Sequence, residues 1–154
     1  QLLEAADPIP GRQPYTWRHA DKALGALRSG RKVLFKVHGS VEDHDSIVMS
    51  DRDYDAARLD VPYQAVLSFL LQDSAFLFVG YGMNDPLDLD LAFKANADAF
   101  RSSAQKHFVL LRIPSDTDAD RYHREYNVDV IPYSEHDEVT IFLDALARVR
   151  SAHS

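Results

Sequence analysis

The chain has 154 residues, of which 45% are hydrophobic, and a formal net charge of −7. That size fits one domain with a buried core, and a single domain over residues 1–154 is the expectation. The longest apolar stretch, Ala75 to Tyr81, falls far short of the roughly 20 residues a membrane-spanning helix needs. No basic-then-apolar leader opens the chain, and the lack of cysteine removes disulfide frameworks and thiolate zinc sites. A cytoplasmic protein is therefore expected, with no membrane partner. The basic residues form no stripe that could follow a phosphate backbone, so nucleic acid is not an expected partner either.

Leu2, Leu3, Ala5 and Ala6 read as the end of an amphipathic helix already under way, so the chain is expected to begin inside a larger fold. Pro8, Pro10, Gly11 and Pro14 then punctuate a loop. Tyr15 and Trp17, near the prolines, read as packing residues. A short helix is predicted over His19 to Arg28, stopped by Ser29-Gly30. Lys32 to Val37 predicts a buried strand ending at His38-Gly39-Ser40, followed by an acidic exposed turn and an extended piece at Ile47 to Met49.

Ser50 and Asp53 have capping-box spacing, which starts a helix near Asp51. Tyr63, Val66, Leu67, Leu70 and Leu71 then repeat on one face of a helix beginning near Pro62. Ala75 to Val79, closed by Gly80, predicts a strand buried on both faces. Leu89, Ala92, Phe93, Asn96 and Phe100 predict the next helix, Lys106 to Ile113 a strand, and Asp118 to Tyr126 a polar helix. Val128 to Ile131 predicts a last strand stopped by Pro132. Val139, Phe142, Leu143, Leu146 and Val149 mark a closing helix with Ser134 and Asp137 placed to cap it.

This alternation predicts an α/β fold: a Rossmann-like, doubly wound, mainly parallel sheet with helices on both faces. Ligands bind such sheets at the carboxyl ends of the strands. Those ends carry His38, Gly39 and Ser40; then Gly80, Tyr81, Gly82, Asn84 and Asp85; then Ile131 to Tyr133. A glycine-rich G-x-G-x-x-G loop is absent. His38, at a strand mouth and followed by a glycine that admits another backbone or a ligand, is placed for general-base work near neutral pH. A hydrogen-bonded structural histidine is the alternative. The turn from Gly80 to Asp85 offers backbone N–H groups and a helix start to a phosphate or ribose, and Asn84 and Asp85 can bind sugar hydroxyls or simply cap the helix.

Taken in order, Lys36-Val37-His38-Gly39, Ser50-Asp51-Arg52-Asp53-Tyr54, Phe78-Val79-Gly80-Tyr81-Gly82-Met83-Asn84-Asp85-Pro86 and Asn127 to Tyr133 resemble the sirtuin-like (SIR2-like) NAD-binding family, specifically its prokaryotic defence-associated branch. The resemblance covers nearly the whole chain from Leu2. It implies binding of NAD⁺ and cleavage of its nicotinamide–ribose bond, with hydrolysis when water is the acceptor. It makes His38 the base or ribose-positioning residue, lines ribose and phosphates with Gly80, Gly82 and Asn84, and brings Ile131 and Tyr133 to the adenine end. Gly39, Ser40, Tyr81 and Asp85 complete the expected cofactor-binding set.

Departures from the family pattern also carry meaning. Gly82 stands where the family usually has serine, and the family's opening Gly-Ala-Gly loop and Thr-x-Asn-Tyr-Asp sequence are not present. The chain thus reads as a carboxy-terminal portion of the domain, lacking the first strand or strands, inactive by itself and expected to self-associate or to need a missing amino-terminal segment. A short cysteine-free insert from Val41 to Leu59 argues against the zinc-bearing protein deacylases. Asp43, His44 and Asp45 read as an exposed acidic loop, and no metal site is expected. The alternative to a hydrolase is a non-catalytic nucleotide-sensing or interaction module. Of the other histidines, His107 falls within a strand, His123 on a polar helix face and His153 in the tail, while His136 alone follows a strand end where a ligand could lie.

Overall fold

A computed structural model describes residues 14–80, 89–100 and 105–152. The chain divides into two compact units, Gln1–Leu70 and Leu71–Ser154. It is an α/β protein in which every strand pairing between named strands is parallel, consistent with a Rossmann-like fold.

In the first unit, β1 (Tyr15–Thr16) pairs with β2 (Phe35–Lys36), with Tyr15 opposite Phe35. Between them lie a 3-10 turn at Trp17–His19 and helix α1 (Ala20–Arg28). The small residues Ala20, Ala23 and Ala26 form the buried face of α1 at helical spacing. The predicted strand over Lys32 to Val37 shortens to two residues, because β1 offers only two partners for pairing. Ile47 to Met49 forms no strand, and Ile47 is merely extended after a 3-10 turn at His44–Ser46.

Helix α2 (Asp51–Leu59) opens with the expected capping box. The Ser50 hydroxyl accepts from the Asp53 N–H at 3.4 Å and the Asp53 carboxylate accepts from the Ser50 N–H at 2.9 Å. Hydrogen bonds from Ser50 to this carboxylate, its side chain first, hold the Asp53 carboxyl below its ordinary range. Helix α3 (Val61–Asp73) starts where the Asp60 carboxylate accepts from the Tyr63 N–H at 2.8 Å. Tyr63, Val66, Leu67 and Leu71 are buried along it, and the Tyr63 ring stacks on Phe35.

In the second unit the strands run β3 (Leu77–Phe78), β4 (His107–Arg112), β5 (Val128–Tyr133) side by side in chain order. Helix α4 (Leu89–Phe100) lies between β3 and β4 in the chain, and α5 (Asp116–Tyr126) between β4 and β5. Each connection is thus strand, helix, parallel strand. Leu71, Phe78, Phe93, Val109, Tyr122, Tyr126 and Val128 form one buried cluster. The double-sided burial predicted for Ala75 to Val79 does not hold, since Val79 is 43% exposed and only Leu77 and Phe78 pair as a strand.

Strand β5 also differs from its predicted end, running through Pro132 to Tyr133. The carbonyls of Asn127 and Tyr133 accept from His107 and Ile113 of the β4 side, so odd-numbered residues of β5 turn their polar groups to β4. Pro132 falls on the alternate position of a strand at the end of this sheet, where its missing N–H breaks no ladder bond. Helix α6 (His136–Ala152) closes the described residues. Its first turn is held by the Glu138 carboxylate accepting from the Glu135 N–H at 3.0 Å, rather than by the predicted Ser134 and Asp137. Among the described residues no helix is long and apolar enough to cross a membrane.

Candidate functional site

The turn that follows β2 is built around Gly39. Its N–H bonds back to the Lys36 carbonyl at 3.1 Å, and its φ of +85° lies in the left-handed region that side chains disfavour. A Cβ there would collide with the carbonyl oxygen of Ser46, so the close approach that glycine permits is made by the chain's own backbone. The hydroxyl of Ser46, fully buried, accepts from the Ser40 N–H at 3.1 Å and donates to the Asp43 carbonyl at 2.6 Å. Trp17, also buried, donates its indole N–H to the Ser46 carbonyl at 2.7 Å.

Ser40 is buried and committed on both sides. Its hydroxyl accepts from the Lys36 ammonium at 2.9 Å and donates to the Glu42 carboxylate. These contacts, the Ser40 hydrogen bond first, hold the Glu42 carboxyl below its ordinary range. His38 crosses this anchored turn with its side chain exposed, its ring edge-on to Tyr54 at 5.8 Å and its carbonyl accepting from the Val48 N–H at 3.2 Å. The result is an accessible imidazole on a backbone pinned from both sides.

In the second unit, Gly80 follows β3 with φ of +69°. Tyr81, Gly82, Asn84 and Asp85 lie outside the described residues. Farther along the sheet, a cavity of about 390 Å³ opens at the carboxyl ends of β4 and β5. Residues 113–116, Ala119, Val130, residues 132–134 and Glu138 line it. Tyr133 is in that wall and has its ring 5.7 Å from that of His136, whereas Ile131 sits within β5 opposite Leu110 and is not part of the lining. Ile113 stands at the lip with φ of +43°, a rare conformation for a β-branched residue, and is 70% exposed.

Strand ends chosen from sequence include residues 131–133 but omit Ile113 to Asp116 and Glu138, which lie at the same end of the sheet. Among the described residues no group of three or more histidine, aspartate or glutamate side chains could hold a metal ion, and His44 is exposed. His107, by contrast, is buried, 1% exposed, between the rings of Phe76 and Phe93. Its Nδ1 accepts from the Phe76 N–H at 3.2 Å, while Nε2 has no hydrogen-bond partner among the described residues. Desolvation lowers its pKa to about 4, so the ring is neutral and structural. His123 pairs with Asp129 at 2.7 Å, and Lys106 reaches the other oxygen of the same carboxylate at 2.7 Å. The Lys106 hydrogen bond, with His123 adding to it, keeps Asp129 ionised below its ordinary range.

Residues 1–131 match the model of the SIR2-like domain. The chain belongs to the SIR2-like domain family. Two bacterial proteins are similar to this SIR2-like chain. The NAD(+) hydrolase ThsA of Bacillus cereus (strain MSX-D12) is 28% identical over 131 residues, covering 74% of this chain and 27% of that protein. The NAD(+) hydrolase ThsA of Acinetobacter baumannii (strain 532279) is 29% identical over 91 residues, covering 58% of this chain and 19% of that protein. The SIR2-like chain thus spans about a quarter or less of the length of the curated relatives it matches.

Proposed function

We propose that the protein carrying this chain binds NAD⁺ as a substrate and hydrolyses the bond between nicotinamide and ribose. The observation that carries this reading is membership of the SIR2-like family together with similarity to two NAD(+) hydrolases. It is supported by an exposed His38 on a backbone fixed by Gly39, Ser40 and Ser46. In this reading residues 1–154 are part of one Rossmann-type domain.

The bond from ribose C1′ to the pyridinium nitrogen breaks with its electron pair going to nicotinamide, which leaves neutral. Positive charge develops on the ribose, and a water oxygen bonds to C1′. His38 orients the ribose hydroxyls or that water and takes the proton released. Gly39 and Ser40 shape the turn beneath it, while Gly80, Tyr81, Gly82, Asn84 and Asp85 line the ribose and phosphates. Helix starts and backbone N–H groups supply the partial positive charge that diphosphate requires. The cavity beside Tyr133 takes the adenosine end, with Ile131 as the strand support behind it. Its position at the carboxyl ends of parallel strands and its volume of about 390 Å³ suit a small-molecule site.

Cytoplasmic action in antiphage defence by NAD⁺ consumption belongs to the same reading, as does association with a second copy or another segment of the protein. The exposure of Ile141 at 65% and Val149 at 58% on α6 supports association. The test is incubation of the full-length protein with NAD⁺ and quantification of products. Equimolar nicotinamide and ADP-ribose are expected. Tight binding with NAD⁺ recovered intact would replace the hydrolase by a sensing module.

A further inference from the structure

The carboxyl end of the first parallel pair carries an imidazole in addition to that of His38. Thr16 of β1 stands opposite Lys36 of β2, so His19, shortly after Thr16, and His38, shortly after Lys36, leave the same end of one two-stranded sheet within one compact unit. The His19 side chain, in the 3-10 turn, is 43% exposed, whereas Thr16 is buried. The Thr16 hydroxyl lies 3.0 Å from His19 Nδ1 and 3.2 Å from Asp43 Oδ2.

These two contacts fix the tautomer of His19. A carboxylate only accepts, so the single hydroxyl hydrogen of Thr16 goes to Asp43 and His19 donates its Nδ1–H to the Thr16 oxygen. Nε2 is left with its lone pair, and it has no hydrogen-bond partner among the described residues. The carboxylate behind this relay is held in place by its own backbone. The Asp43 N–H donates to the Ser40 carbonyl at 3.0 Å, and the Asp43 carbonyl accepts from the Ser46 N–H at 2.9 Å and the Ser46 hydroxyl at 2.6 Å. Asp43 thus sits in the same anchored turn that follows His38. A hydroxyl is costly to bury unless it is hydrogen-bonded, and here one of its bonds supports a ring that reaches solvent. A carboxylate behind an imidazole orients the ring and raises the basicity of its free nitrogen.

We infer that His19 Nε2 accepts a hydrogen bond from a ribose hydroxyl of the nucleotide, with Thr16 and Asp43 as its positioning residues. This rests on the reading of the protein as an NAD⁺ hydrolase. As the bond to nicotinamide breaks, positive charge on the ribose makes its hydroxyls stronger donors, so the bond to Nε2 strengthens in the transition state. The hydroxyl keeps its hydrogen throughout, and the proton released by water still goes to His38. The contact therefore acts on the rate more than on binding.

The test measures nicotinamide release from NAD⁺, calorimetric binding of ADP-ribose and melting temperature for the full-length protein and its variants. His19→Phe and Thr16→Val are each expected to lower kcat by at least about tenfold, with KM and ADP-ribose affinity changed by less than about threefold. Thr16→Ser keeps the hydroxyl and should retain most of the rate. The double variant Thr16→Val, His19→Phe should be no slower than His19→Phe alone, because a relay already cut at the ring is not cut again. Full kcat in a folded His19→Phe protein, a loss confined to KM, equal losses in Thr16→Ser and Thr16→Val, or losses that multiply in the double variant would each overturn the inference. If His19→Phe does not fold, the contrast between serine and valine at buried position 16 decides. Turnover that the His19 variant leaves untouched removes this inference alone, whereas no turnover by the unaltered protein removes the hydrolase reading and this inference with it.

Discussion

Gly39 joins backbone geometry to the site more directly than any other residue. It turns the chain after β2 with a positive φ, and the space a side chain would need is filled by the Ser46 carbonyl. Gly39→Ala therefore adds left-handed strain and forces the loop from His38 to Ser46 apart. A loss of about 1–3 kcal/mol is expected from the strain alone, read as a lowered denaturation midpoint. Unchanged stability would show that the loop relaxes freely. His107 gives a residue-scale prediction of another kind. Its pKa is lowered from 6.5 in the unfolded chain to about 4 in the folded state, so the unfolded state binds the proton first as pH falls. The contribution is fully present above pH 6.5, diminishes between 6.5 and 4, and amounts to at most about 3 kcal/mol across that window. Unfolding free energies at pH 7.5 and pH 4.5 should differ in this direction, and the difference should shrink in His107→Phe.

The elements differ in how plainly their sequence announces them. The Ser50–Asp53 box is legible because both partners lie within one turn and depend on nothing distant. Ser50→Ala should cost about 1 kcal/mol, measured by chemical denaturation, and Ser50→Gly less. Helices α1, α3 and α5 are likewise readable from apolar spacing and turn residues, and the αL residue Asn127 that ends α5 has a φ of +54°. Strands are less so, because a strand ends where its partner ends. Phe35 and Lys36 pair only with Tyr15 and Thr16, which shortens the run from Lys32 to Val37. Pro132 looks like a stop until the strand is known to lie at the end of its sheet. The burial of His107 depends on Phe76 and Phe93, which come from separate segments, so local pattern does not show it. The carboxyl-end rule reaches Tyr133, and the same rule applied to β4 reaches Ser115 and Asp116.

At the scale of the whole molecule, the chain divides into two compact units, with His38 in the first and the cavity beside Tyr133 in the second. Exposed apolar residues on α6 predict association, and light scattering of the full-length protein should return a mass above that of one copy. A single-copy mass would remove that part of the account. The most direct test of the central claim is the rate of nicotinamide release from NAD⁺ by the full-length protein and by its His38→Ala variant, with melting temperatures recorded for both. Since His38 is exposed, the melting temperature should hold while release falls by at least about 100-fold, the usual share of a general base. Equal rates in the two folded proteins would contradict the role given to His38.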